Sequence, residues 1–267
     1  MSSPPAANGH ATRLPDIGPD VADDPAWAAA ARASLAHTDA RLDKRFDQDD
    51  GMDRILALRA RAVDHLLKDA WLRCIPAEAP MALFAVGGYG RGELFPQSDV
   101  DVLVLASADT QQRHHEAVAR FFAMLWDAGL PISHSVRSAA QCTAAAAADQ
   151  TVLTALIEER LIVGEPVDEA LLIDAIGAAR VWPPRDFFVA KREELRIRHA
   201  RFGDTSDNLE PNIKDGPGGL RDLHTLGWMA LRTFGVRDLE PLVGMGHLGQ
   251  DEAVALAGAR RAPGGLR

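Results

Sequence analysis

Three glycines and two aspartates carry the chemistry that this sequence offers. Gly87, Gly88 and Gly90, with Gly92 after them, follow a short apolar run, and Asp99 and Asp101 stand at the head of the next one. Glycines let a backbone turn tightly and approach a ligand closely. Successive N–H groups in such a turn form a concavity for an anion, and a helix starting near Arg91 to Leu94 would add the field of its N-terminus. Two common phosphate loops are excluded by spacing. No Gly-Lys-Ser/Thr follows the turn, and Gly88-Tyr89-Gly90-Arg91-Gly92 lacks the G-x-G-x-x-G pattern. On a strand, residues two apart point to the same side, so Asp99 and Asp101 converge while Val100 and Val102 face away. Two carboxylates held close repel unless a cation sits between them. Magnesium suits such a site, because it takes oxygen ligands and commonly uses one or two carboxylates with substrate phosphates. Paired ions of this kind serve phosphoryl transfer. The combination implies transfer of a nucleotide from a nucleoside triphosphate. The plainer alternatives are a structural glycine turn and a hydrated strand edge.

Strands must hold these residues in place. Residues 81–86 and 100–105 are short apolar runs bounded by Pro, Gly or Asp and are expected to be buried strands. A third strand is expected over 131–136, and a short apolar segment at 161–163. Helices are expected over 25–47 and 52–74, where Ile55, Leu56, Leu58, Val63, Leu66, Leu67 and Trp71 form one apolar stripe. A helix over 115–127 should turn Val118, Phe121, Phe122, Leu125 and Trp126 inward, with Gly129 closing it. Further helices are expected over 151–160, 167–179, 184–202 and 220–234. The organisation is a mobile tail over 1–24, an α/β core with N-terminal helices over 25–165, and a helical lobe over 166–267. A helix-like start at 251–256 gives way to residues 258–267, which have no apolar periodicity, so the lobe is expected to be truncated.

Bulk composition narrows the classes. The chain has 267 residues, 47% of them hydrophobic and 25% charged, enough for one or two domains with a real core. A net charge of -9 argues against a general nucleic-acid binder, which normally shows a basic face. Cys74 and Cys142 form no disulfide framework and fit a reducing cytosol. The N-terminus lacks a basic start and apolar run, and no apolar stretch approaches the ~18 to 20 residues of a membrane span. A cytoplasmic protein with neither nucleic acid nor membrane as partner is expected.

At the glycine turn and the Asp-x-Asp pair the sequence resembles the nucleotidyltransferase superfamily. Residues 86–105 look like the active-site segment of the bacterial PII uridylyltransferase/uridylyl-removing family. Asn208-Leu209-Glu210-Pro211-Asn212-Ile213-Lys214-Asp215-Gly216-Pro217-Gly218-Gly219-Leu220-Arg221-Asp222 is similar to a second signature of that family, and His134-Ser135-Val136-Arg137 to a third segment. The resemblance implies an α/β fold with a small mixed sheet, flanking helices and a following helical lobe. It implies transfer of UMP from UTP to a tyrosine of the trimeric nitrogen-signalling protein PII, with release of pyrophosphate and with Mg2+ or Mn2+. Asp99 and Asp101 would then be the catalytic, metal-binding pair. Gly87, Gly88, Arg91, Ser98, Lys214 and Arg221 would bind the nucleotide. The hydrolase and glutamine-binding parts of the family do not fit in this chain, so uridylyl removal is not expected of it.

Alternatives stay open at several positions. Arg91 either meets phosphate or pairs with Glu93. Lys214 and Arg221 either clamp the triphosphate or are exposed charges around a Gly-Pro-Gly-Gly turn. His134 fits a core histidine better than a ligand. The third carboxylate of many superfamily members has no counterpart beside His134, and Asp127 and Asp149 are the candidates for it. Adenylyl transfer and a nucleotide-binding fragment without turnover are the competing functions.

Overall fold

The computed structural model describes residues 23–203 and 212–261. Most of the expected tail over 1–24, residues 208–211 of the second signature and residues 262–267 lie outside the described residues.

Asp23 opens the first helix, its carboxylate accepting the Ala26 N–H at 2.9 Å, and Pro25 lies in the first turn. The chain then runs α1 Asp24–Asp47, α2 Met52–Cys74, β1 Met81–Ala85, α3 Gly87–Gly90, β2 Val100–Ala106, α4 Ala108–Arg113, α5 His115–Asp127, β3 Ile132–Arg137, α6 Ala139–Ala148, α7 Gln150–Ile157 and β4 Arg160–Val163. The helical part follows as α8 Pro166–Ala175, α9 Pro184–Arg201, α10 Leu220–Phe234, α11 Pro241–Gly244 and α12 Gln250–Arg261. The α/β class with a small mixed sheet is therefore the observed architecture.

The four strands lie in the order β3-β2-β1-β4. β1 is antiparallel to both β2 and β4, and β2 is parallel to β3. Because alternate residues face opposite sides, the sheet sorts its side chains into two cores. Leu83, Ala85, Val100, Val102 and Val104 pack with α1, α2 and α5. Ala82, Phe84, Val86, Leu103 and Leu105 pack with Cys142, Leu153, Leu172 and Phe187, and with Trp228 of α10. The helical part thus sits on the second face of the same sheet.

Some local expectations change. A one-turn helix forms at Gly87–Gly90, not at 91–94, where Arg91 and Gly92 are a turn. Trp126 is 49% exposed rather than inward. It lies at the edge of the α5 stripe, where its ring meets His134 edge-on at 5.4 Å. The alanine-rich stretch 139–148 is a helix in its own right, started by a Ser138–Gln141 capping box. The following helix stops at Ile157, because residues 160–163 pair with β1. α12 continues through Gly258 to Arg261, past the point where apolar periodicity stops.

Gly90 is the tightest packing point in the core. A Cβ placed there would stand 1.9 Å from the Glu158 carbonyl oxygen, in fixed backbone. Gly90→Ala is therefore expected to destabilise the protein by about 3 kcal/mol. Urea unfolding measures it, and an unchanged midpoint would show that the approach is looser than described.

Candidate functional site

The glycine turn is tied to the aspartate strand by backbone. The Val86 N–H donates to the Asp101 carbonyl at 3.0 Å, where β1 leaves the sheet. Gly87 follows with φ +58°, a left-handed conformation that disfavours a side chain. A Cβ on Gly87 would lie 3.5 Å from Asp101 Oδ2, so the carboxylate borders the turn with about the space of one methyl group between them. The first-turn N–H groups of α3 have no carbonyl one turn earlier to accept them, and they form the open end of the turn. Its carbonyl end is closed. Arg160 donates to the Gly90 and Tyr89 carbonyls at 3.3 and 3.4 Å and pairs with Asp64 at 2.8 Å. Tyr89 is buried beneath the turn, its hydroxyl donating to Asp64 at 2.5 Å. A turn capped behind and open in front favours an anion in front.

Asp99 is exposed just before β2, and Asp101 is half-buried inside it. Val100 and Val102, at 1% and 2% exposure, face the first core, as their alternation with the aspartates requires. Asp101 shares its face with Leu103 and Leu105. Burial pushes the Asp101 carboxyl above its ordinary range, and the nearby charge of Asp99 adds to the rise. A hydrogen bond from Ser133 and the charge of Lys214 oppose it. Ser133 is directly opposite Asp101 in the parallel β2–β3 register. Sequence reasoning missed it, since only strand pairing singles out residue 133 from its neighbours. Ser98 is half-buried in the turn before Asp99, its N–H donating to Phe95 O at 3.0 Å.

The cationic candidates separate. Lys214 is exposed and near enough for its charge to act on Asp101. Arg221 pairs with Asp215 at 3.3 Å, half-exposed, at the start of α10. Arg91 is enclosed by Glu93 at 2.8 Å and Glu158 at 2.5 Å. The pairing with Glu93 is present through Nε, while Nη2 of the same guanidinium lies at the glycine turn, 3.6 Å from where a Cβ on Gly88 would stand. Burial raises the Glu93 carboxyl, but His224 and Arg91 outweigh it and hold the group at about 2. Among the described residues no group of three acids, histidines or cysteines comes together as a metal cluster. Asp149 instead caps α7 through Thr151, and His134 stacks on Phe122 at 3.9 Å, on the face away from Asp101.

A cavity of about 700 Å³ lies behind the turn, not at the aspartates. Gly90, Arg91, Glu158, His224 and Trp228 line it together with α12 residues. Gly87, Gly88, Asp99, Asp101 and Lys214 lie outside its lining.

Residues 71–162 match the family model of the nucleotidyltransferase domain, and residues 186–267 that of the GlnD PII-uridylyltransferase. Among similar proteins, the bifunctional uridylyltransferase/uridylyl-removing enzyme of Xanthomonas axonopodis pv. citri (strain 306) is 67% identical over 93% of this chain. Its counterpart in Xanthomonas oryzae pv. oryzae (strain MAFF 311018) is 65% identical over the same share. The enzyme of the same name in Pseudomonas aeruginosa is 46% identical over 82% of the chain. The chain spans 28% of the length of the Xanthomonas relatives and 24% of the Pseudomonas one. Among the described residues no helix is long and apolar enough to cross a membrane.

The two glycines at the mouth of the turn differ physically. Gly87 has φ +58°, whereas a Cβ on Gly88 would meet only ordinary contacts at 3.5 and 3.6 Å. Gly87→Ala is expected to cost about 1 kcal/mol of stability, and Gly88→Ala to stay within about 0.5 kcal/mol of the parent. Equal denaturation midpoints for the two variants would contradict this.

Proposed function

We propose that this chain, a nucleotidyltransferase-domain protein similar to part of the uridylyltransferase/uridylyl-removing enzymes, transfers UMP from UTP to a tyrosine of PII. The observation that carries the reading is that the Asp101 carboxylate borders the glycine turn, which is tied to the same residue by the Val86 N–H at 3.0 Å, with the Lys214 charge acting on that carboxylate. The open N–H groups of Gly87 and Gly88 would hold the triphosphate, with Lys214 and Arg221 at its outer phosphates and Ser98 at the rim. Asp99 and Asp101 would hold Mg2+ or Mn2+. Two carboxylates beside a hydroxyl are hard oxygen donors, and they suit an ion that completes its shell with substrate phosphates and water. When bound, the ion would neutralise charge on the phosphates and stabilise the leaving pyrophosphate.

The chain's own groups would do the rest by position. The turn fixes the triphosphate against the Asp101 strand, and Lys214 offsets negative charge as pyrophosphate departs. UTP as donor and PII as acceptor are supported by the names of the relatives and of the matched family model. Residues 25–165 would carry the transfer site and the part after residue 165 would close it. A cytoplasmic location suits an enzyme acting on a soluble signal protein.

Purified chain, PII and UTP labelled at the α-phosphate test the proposal, with labelled ATP run in parallel. Labelling of PII by UTP is expected. Asp99→Asn and Asp101→Asn should each lower it by about 10³-fold or more, the size of losing a charge-stabilising group in a transferase site, with thermal unfolding unchanged. Full labelling by either variant would sink the assignment. Labelling by ATP alone would turn it to adenylyl transfer, and a nucleotide-induced stability shift without product would make the chain a binding module.

A further inference from the structure

Helix α10 reaches the back of the glycine turn through polar contacts to two carboxylates, Glu158 and Glu93. Glu158 closes α7, and its backbone oxygen lies against Gly90, leaving no room for a Cβ. Its side chain is buried. One oxygen pairs with Arg91 at 2.5 Å, and the other accepts the indole N–H of Trp228. Trp228 lies on α10, is 5% exposed, and has the Lys191 ammonium 5.0 Å from its ring. His224, one helical turn earlier, meets Glu93 at 3.4 Å. Residues four apart share a helix face, so this face of α10 lies on the back of the glycine turn.

The loop that carries Lys214 is tied to the start of α10. The Asn212 side chain accepts the N–H groups of Lys214 and Asp215 at 3.1 and 2.8 Å. The Leu220 and Arg221 N–H groups donate to the Ile213 and Lys214 carbonyls, both at 2.9 Å. Asp222 accepts from the Gly218 N–H at 2.8 Å and from Arg198 of α9 at 2.7 Å, while Arg198 also donates to the Asp215 carbonyl at 3.0 Å. Only glycine fits at 216 and 219, because a Cβ there would stand 2.7 and 2.6 Å from backbone oxygens of the same loop. The loop is thus a closed unit fixed to the start of α10.

We infer that the Trp228–Glu158 hydrogen bond is an interlobe latch: by fixing α10 to the back of the glycine turn it positions the Lys214 loop, which is bonded to the start of α10, relative to that turn. Trp228 and Glu158 are positioning residues and touch no substrate. The inference rests on the nucleotide-site reading proposed above. A purely structural tryptophan would lower stability without acting through Lys214.

A double-mutant cycle tests the latch on the chain as it stands. Calorimetry with the non-hydrolysable donor α,β-methylene UTP and Mg2+ reads the dissociation constant for the parent, Lys214→Ala, Trp228→Phe and the double variant. Lys214→Ala is expected to weaken binding by about tenfold, the loss of one charge-assisted contact. Trp228→Phe should weaken it by a similar factor, and the double variant should be no weaker than Lys214→Ala alone. Glu158→Met, close in size and without an oxygen to accept the indole N–H, gives a second cycle if Trp228→Phe unfolds. Losses that multiply in the double variant, or latch variants that bind like the parent, would overturn the latch alone. Parent-like binding by Lys214→Ala would overturn the Lys214 clamp and the latch with it.

Discussion

The closest constraint in this molecule is the contact of Gly90 with the backbone of Glu158. The strand β1 must end, turn through Gly87–Gly90 and leave again, all within reach of the end of α7. Only a residue without a side chain lets the two backbones meet. Once they meet, the Glu158 carboxylate is held beside Arg91 and Trp228. A buried carboxylate is costly unless its oxygens are used, and here both are. The glycine turn, the α/β core and the helical part are therefore joined at one buried group.

The sheet converts this local contact into a site. The period of two places Asp101 on the side opposite to Val100 and Val102, which lie in the first core, with Asp99 just before the strand. The same alternation points Asp101 toward the face that the helical part covers, next to Leu103 and Leu105. Asp101 is therefore half-buried at the edge of an apolar face, and burial with a neighbouring acid raises its proton affinity. The parallel partner β3 supplies Ser133 in register, on the same side, while His134 turns to the aromatic rings of α5.

Much of the fold was legible because local signals agreed with each other. The stripe over α2 and the proline stops after it gave bounds that match Met52–Cys74. The apolar runs before the turn and after Asp99 are β1 and β2. Trp126 was misread because helical periodicity places it only at the margin of the buried stripe, and the position of β3 decides the margin. The helix at 139–148 has little amphipathic contrast, so its start is encoded mainly in the Ser138–Gln141 cap. The one-turn helix at Gly87–Gly90 contradicts the low helix propensity of glycine, and tertiary contacts at Tyr89, Arg91 and Arg160 overrule it.

By itself the sequence determined the types and spacing of the candidate groups: a glycine turn, an aspartate pair two residues apart, and a lysine in a glycine-rich loop over a hundred residues later. Those follow from local periodicity and turn chemistry, which act within a few residues. Tertiary structure decided what each group faces. It put Arg91 between two glutamates, brought Ser133 to Asp101, sent His134 to the other face and brought the charge of Lys214 within reach of Asp101. Those outcomes depend on strand order, register and the docking of α10, which are set by contacts between residues far apart in the chain. No local pattern contains them.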